Sequence, residues 1–510
     1  MEKGMDNCYL SHNRNFLIKL TCLLFLWTLL LRFATFFKSV IDWDESLYIL
    51  IADRWLSGNL PYIEVWDHKP IGIYTIFASA LYLFGRSIIS VRIAAIIFIS
   101  LTSLILYLIG IELTGKKNSG IAASVLYPVY SLGLGGAAAN TEPFFSLFNM
   151  LGLLLLLKVL REELSTRRLL LMVAGAGIAF GITLQIKYIV IFEIAYFTIA
   201  FIPLKMRKRS SMTAWQWISS GLVFSTTLLA PTAIALLYYL HSGYLNEFIY
   251  SNFKANQQHI EMRTLLGMFI PFARSMEKWS NWVNVLLVLS ALGIAIPHIL
   301  PGRGKGIRAE RGFLTFLLLW LVVSLLECWL TFKFYPHYYL VTIPPLCLLA
   351  GYSFYRVGIN EISSRRVVLL CLVISFVQLS HIFATSSKWI LGWKKKDRIT
   401  QVANYLEENI SPQDFIYVVN DQPIYYFLTR ARIPTRYAFP PFLIDPHFSK
   451  VAGIDYRNEI DHILSLNPKY ILVNNDSMHK RAVEIKNLLK KSRPIEKTYG
   501  NLDIYGIGSH

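Results

Sequence analysis

The chain has 510 residues, 54% of them hydrophobic and 16% charged, against roughly 25% charged residues in a soluble domain. That excludes an ordinary soluble enzyme, and the apolar content excludes intrinsic disorder. A net charge of +18, from 50 Lys and Arg against 32 Asp and Glu, reports loop topology in a membrane protein rather than a nucleic-acid partner.

Apolar runs near the length that crosses a bilayer core recur at 16–37, 88–113, 120–138, 144–160, 169–186, 188–204, 215–240, 282–300, 313–332, 338–357 and 367–383. A further run, 71–85, is apolar but short for a span. The distribution of Lys and Arg decides how to count it. If it does not cross, Lys116/Lys117, Arg161/Arg167/Arg168, Lys205/Arg207/Lys208/Arg209, Arg303/Lys305/Arg308/Arg311 and Arg356/Arg365/Arg366 all face the cytoplasm. If it crosses, every cluster lands outside. The sequence therefore predicts a polytopic α-helical membrane protein with eleven spans and a juxtamembrane or re-entrant helix at 71–85. The N-terminus is then cytoplasmic, and 40–87, 139–143, 241–281 and 331–337 are outer segments.

After the last span the composition changes. Residues 388–510 read as a soluble α/β unit, with helical patterns at 398–408, 459–466 and 481–490 and strand patterns at 414–419, 469–473 and 502–507. The expected domains are a transmembrane part, 1–387, whose first outer loop covers about 40–87, and an extracytoplasmic α/β domain, 388–510. No Gly/Ser-rich linker separates them, so the tail is expected to dock on the membrane part. The cysteines, Cys8, Cys22, Cys328, Cys347 and Cys371, show neither a disulfide framework nor a metal-ligand spacing.

The first outer loop carries Asp42-Trp43-Asp44-Glu45-Ser46-Leu47-Tyr48 and then Trp66-Asp67-His68-Lys69-Pro70. Acids, a histidine and a lysine thus collect just beyond a span. The competing reading is a solvated loop in which Asp44 caps the following helix. The turn Asn140-Thr141-Glu142-Pro143 adds a carboxylate on the same face, with the competing reading of a polar helix start before proline. Lys333-Phe334-Tyr335-Pro336-His337 places a cation and a histidine between two apolar runs, and Gln185 and Lys187 sit at a similar junction. A lone lysine there is more often a snorkelling anchor than a ligand. It is the gathering of carboxylates and cations on one face that points to chemistry. A phosphate departing as a hydroxyl attacks needs cations for the leaving group and a carboxylate for the acceptor proton. The pattern Gly133-x-Gly135-x-x-Ala138 has a dinucleotide-fingerprint shape but lies in an apolar run rather than after a strand.

At Asp44-Glu45, Lys69-Pro70, Glu142-Pro143 and His337-Tyr338…Pro344-Pro345 the sequence resembles the membrane glycosyltransferases of the GT-C fold. The branches it resembles are the protein O-mannosyltransferase-like, aminoarabinose-transferase-like and rhizobial lipopolysaccharide glycosyltransferase-like enzymes. The resemblance implies an inverting transfer from a polyprenyl-phosphate-linked sugar to a hydroxyl on a glycan, lipid or protein, at the outer face of the plasma membrane. By position it implies Asp44 as the catalytic base and Glu45 and Glu142 as acids shaping the acceptor site. Lys69, Lys187, Lys333 and His337 are left to contact the lipid phosphate, with Asp67 and His68 as further loop candidates. If a divalent metal ion takes part, Asp44 and Glu142 are the residues expected to hold it. Two departures stand out: Lys69-Pro70 is followed by Ile71 where many relatives have a second proline, and Leu47 stands where the aminoarabinose branch has arginine. The alternative class is a transporter of lipid-linked sugars, which calls for paired half-repeats and interrupted helices. No such repeat is visible in the sequence.

Overall fold

The computed structural model describes residues 2–206, 212–259, 265–299, 307–330, 332–356, 364–392, 397–476 and 478–507. Of the basic positions above, Arg207, Lys208, Arg209, Arg303 and Lys305 lie outside them, as do 260–264 and Thr331 in the expected outer segments. Contacts divide the chain into two units. The first comprises Met1–Ala34, Ile93–Ala233 and Met262–Ser387, and the second Thr35–Arg92, Ile234–Glu261 and Lys388–His510. The first outer loop, expected with the membrane part, therefore groups with the tail.

In chain order the helices up to the tail are α1 (Glu2–Arg32), α2 (Trp43–Leu56), α3 (Ile71–Phe84), α4 (Ile88–Thr114), α5 (Lys117–Tyr130), α6 (Thr141–Arg161), α7 (Thr166–Leu184), α8 (Ile191–Met206), α9 (Ala214–His241), α10 (Leu245–Ile249), α11 (Ala255–His259), α12 (Leu265–Ile299), α13 (Ile307–Leu330), α14 (Ile343–Arg356) and α15 (Ser364–Leu391). Every predicted apolar run overlaps one of these helices. Six helical segments among the described residues are long and apolar enough to cross a membrane: Arg14–Phe37, Ile88–Thr114, Thr141–Arg161, Thr166–Leu184, Ala214–His241 and Gly312–Leu330. Ile71–Phe84 is a shorter apolar helix, as its length predicted.

Boundaries move where backbone chemistry overrides hydropathy. The run 120–138 is helical only to Tyr130 and then turns. Within that turn Gly135, at φ 87°, takes a left-handed conformation without strain. Buried Arg32 fixes that turn by donating to the Ser131 and Ala137 carbonyls at 3.0 and 3.3 Å. In the opposite direction, α12 begins at Leu265, so the expected outer loop 241–281 gives up its second half to a helix of 35 residues. Within the first unit α5 packs on α14, α6 on α7, and α8 on α13. Gly120 shows why small residues line such contacts: a Cβ there would lie 2.3 Å from the Tyr107 carbonyl oxygen.

The tail adds α16 (Arg398–Asn409), β1 (Ile416–Val418), α17 (Ile424–Thr429), α18 (Pro441–Ile444), α19 (Pro446–Ala452), α20 (Tyr456–Ser465), β2 (Tyr470–Asn474), α21 (Lys480–Ser492), β3 (Ile495–Tyr499) and β4 (Leu502–Tyr505). The sheet order is β1-β2-β4-β3; β1 and β2 run parallel, and the other pairs antiparallel. Its core joins Val419, Ile471 and Val473 to Ile463, Ile485 and Leu489 of the helices. A second cluster joins the tail to the first loop: Trp66 with Ala255, Phe442, Val451 and Ala452. The tail thus packs against the loop that carries Asp67, His68 and Lys69.

Candidate active site

In the second unit, α2 is capped by Asp42, not Asp44. Asp42 lies in extended conformation (φ −142°) and its Oδ1 accepts from the Asp44 amide at 2.9 Å. The competing assignment of Asp44 as the cap is thereby excluded. Asp44 is left half-buried in the first turn, its carboxylate making no hydrogen bond or ion pair among the described residues. His68 lies within its electrostatic reach.

Glu45, next along, is spent on structure. Its Oε1 meets Arg92 Nη2 at 2.5 Å, both side chains almost fully buried. Arg92 Nη1 also donates to the carbonyls of Thr35, at 2.5 Å, and Lys38. The pair thus ties the segment ahead of α2 to the start of α4. Arg92 was not among the predicted residues, although an arginine inside an apolar run is itself a signal.

The second loop motif is held from several sides. Asp67 is buried and accepts from the His68 amide at 2.7 Å and from the Tyr74 hydroxyl at 2.7 Å. His68 Nδ1 lies 3.2 Å from Asp67 Oδ1. Burial pushes Asp67 upward, but His68, Lys69 and the Tyr74 hydroxyl outweigh it and hold the carboxyl below its ordinary value. Burial and the Lys69 ammonium push His68 below its ordinary value, against Asp67 and Asp44. The motif therefore works with Asp67 ionised and His68 neutral. Lys69, half-buried, ends the loop; its carbonyl accepts from Tyr62 at 2.8 Å, and Pro70 precedes the first residue of α3. Tyr62 is non-glycine at φ 71°, the kind of local strain that a functional loop retains when its surroundings enforce it. Its surroundings do: the Arg436 guanidinium donates to the Tyr62 carbonyl at 2.6 Å, and Trp66 N donates to Arg436 O at 2.8 Å.

In the first unit, Glu142 opens α6 and is buried. Its Oε1 pairs with Lys187 Nζ at 2.5 Å. Lys187 lies 4.2 Å from the Tyr338 ring centroid, and His337 is within electrostatic reach of Glu142. Three predicted residues thus come together, with the Lys187 charge already answered by Glu142. Lys333 sits between Phe332 and Phe334, both non-glycine residues with positive φ, 53° and 52°. Two buried carboxylates were missed. Glu193 accepts from Asn149, Trp320 and Ser324, each at 2.6 Å. Glu327 has charged neighbours in Glu193, Lys187 and Glu142, and its Oε2 has no hydrogen-bond partner among the described residues. Acids within the runs 188–204 and 313–332 were the available signal.

Asp44 and Glu142, the pair considered for a metal, fall in different units. Among the described residues no group of three or more His, Cys, Asp or Glu is arranged to hold a metal ion. Glu142 Oε1 is engaged by the Lys187 ammonium, while its buried Oε2 has no hydrogen-bond partner among the described residues.

The family described as dolichyl-phosphate-mannose-protein mannosyltransferase matches residues 67–234. An undecaprenyl phosphate-alpha-4-amino-4-deoxy-L-arabinose arabinosyl transferase of Pseudomonas fluorescens is 32% identical over 151 residues, covering 28% of this chain and 26% of that protein. The transferase of that name from Pseudomonas aeruginosa is 24% identical over 349 residues, 66% of this chain and 60% of that protein. The chain thus spans between about a quarter and three fifths of these relatives' length. The crystal structure of ArnT from Cupriavidus metallidurans bound to undecaprenyl phosphate superposes with a TM-score of 0.60 at 12% identity, over 98% of this chain and 100% of that one. The chain therefore shares the fold of that structure, and its residues 67–234 match the model of the mannosyltransferase family named above.

Proposed function

We propose that the protein is an integral-membrane inverting glycosyltransferase that moves a sugar from a polyprenyl-phosphate-linked donor to a hydroxyl acceptor. The acceptor oxygen attacks the anomeric carbon while the bond from that carbon to the phosphate oxygen breaks. Asp44 takes the acceptor proton, and the polyprenyl phosphate leaves with the bonding electrons next to the Lys69 ammonium. The observation that carries this reading is the state of Asp44: a carboxylate released from capping by Asp42, without a hydrogen-bond partner among the described residues, within electrostatic reach of a neutral His68. The relatives' polyprenyl-phosphate sugar and the undecaprenyl phosphate bound by Cupriavidus ArnT support the donor class. Asp44→Asn keeps the shape and removes the base. In proteoliposomes supplied with donor and acceptor, release of polyprenyl phosphate should fall by about 10²-fold or more. Release at the wild-type rate by a correctly inserted variant overturns the assignment. The transporter reading predicts no such release at all.

The reading includes eleven spans, a cytoplasmic N-terminus and residues 388–510 on the extracytoplasmic face, supported by the placement of Lys and Arg. A single cysteine at exposed Lys497 should then be labelled by a membrane-impermeant reagent in intact cells whose other cysteines are replaced. Labelling only after the membrane is opened reverses the topology.

A further inference from the structure

Two adjoining cavities on the α2–α3 pair differ in character. One, of about 330 Å³, is lined by Arg54, Arg86 and Arg430 together with Asp53 and Ser57. The other, of about 430 Å³, is a mainly apolar trough between Trp55, Ala78, Tyr82 and Leu83. Leu56 forms part of both walls, so the basic cavity opens beside the trough.

The arginines are not equally committed. Arg86 grips Asp53 with two bonds of 2.7 and 2.9 Å and lies 4.2 Å from the Phe427 ring centroid. Arg54 donates to the Ala431 carbonyl at 2.8 Å and has Glu64 at 3.7 Å. Arg430 is exposed, at φ 57° just past α17, and makes no ion pair or side-chain hydrogen bond among the described residues. The cavity therefore keeps a surplus of positive charge, and its one uncommitted guanidinium is shaped to grip a phosphate.

The trough lies where spans end. Arg86 precedes α4 by two residues, and Trp55 packs against Tyr238 near the end of α9, with ring centroids 6.4 Å apart. Tyr82 and Leu83 are 79% and 69% exposed, an arrangement that suits the acyl boundary of a bilayer better than water. A basic cavity opening onto an apolar trough at that level matches an amphiphile.

We propose that the two cavities form a binding site for an anionic diacyl phospholipid of the surrounding bilayer. Its phosphate lies against Arg430 and Arg86, and one acyl chain follows the trough past Trp55 to Leu83. This site is separate from the Asp44 and Lys69 end of the loop. Arg54 lies ten residues along α2 from Asp44, about 15 Å at 1.5 Å per residue. A bound lipid would brace the far end of the helix that carries Asp44.

Native mass spectrometry of the full chain in nanodiscs tests this without any transfer assay. Phosphatidylglycerol and phosphatidylcholine of identical chains are offered in equal amounts. The wild type should retain phosphatidylglycerol by about fivefold or more, the weight of one basic residue near a charged surface. Arg430→Gln should bring the two lipids near parity, Arg430→Lys should keep the preference, and Tyr82→Ser should weaken retention of both. Millimolar inorganic phosphate should displace neither. Equal retention by the wild type, an unchanged preference in Arg430→Gln, or displacement by inorganic phosphate overturns the proposal.

Discussion

His68 is caught between charges that pull its proton in opposite directions. Burial and Lys69 favour the neutral ring, while Asp67 and Asp44 favour the cation, and the first pair prevails. Its folded value thus lies below its ordinary 6.5, so below pH 6.5 the unfolded chain binds the proton more readily. The stability that the neutral ring contributes is fully present above pH 6.5 and is lost as pH falls toward the depressed folded value. Asp67, held below its ordinary 3.8, adds the same trend only in stronger acid. The melting temperature of the wild type should be flat above pH 6.5 and decline below it, as the unfolding free energy falls by at most about 1.4 kcal/mol per pH unit for one proton. His68→Gln should flatten the curve below pH 6.5. An equally steep decline in that variant would assign the sensitivity to other groups. Neutral His68 also leaves Lys69 as the cation of the motif, which is why the leaving phosphate is placed beside Lys69.

At the scale of the element, α2 works because its cap and its candidate base are different residues. Two acids compete for the same orphan amides of the first turn, and Asp42 has the extended backbone that a cap requires. Asp42→Ala should cost about 1 kcal/mol of helix stability and let Asp44 turn toward the vacated amides. Transfer should drop more than the loss of stability explains, while Asp42→Ser, another good cap, should restore it. Equal activity in the alanine and serine variants would separate the cap from the chemistry. From the sequence alone these roles could not be divided, because both residues are aspartates and the deciding variable is a backbone angle. The same holds for the run 120–138, whose hydropathy continues past Tyr130 while the glycines at 133, 135 and 136 let the chain turn. The apolar runs, the short 71–85 helix and most tail elements were legible, since each is a property of neighbouring residues. Not legible were the Glu45–Arg92 pair and the three donors on Glu193, which join residues 44 to 131 positions apart.

Across the whole molecule, the division of contacts assigns the first loop to the tail, which makes the α/β region part of the loop's wall rather than an appendage. One contact is a ring pair. Phe442 meets Trp66 edge to face at 4.7 Å between centroids and lies 6.2 Å from the His68 ring. Both Trp66 and Phe442 are 1% exposed, and deleting such a ring from a packed site costs about 3–5 kcal/mol. The loss should be felt locally, because the Trp66 wall also fixes the backbone that presents Asp67, His68 and Lys69. Phe442→Ala should therefore speed amide exchange at 62–68 and reduce transfer, while exchange in α6 and α7, which belong to the other unit, stays unchanged. Leu488→Ala, at a 53% exposed position of α21, should alter neither, which controls for general loosening of the tail. Lost transfer in Phe442→Ala with unchanged exchange at 62–68 would show that the ring acts on transfer by a route other than the Trp66 wall.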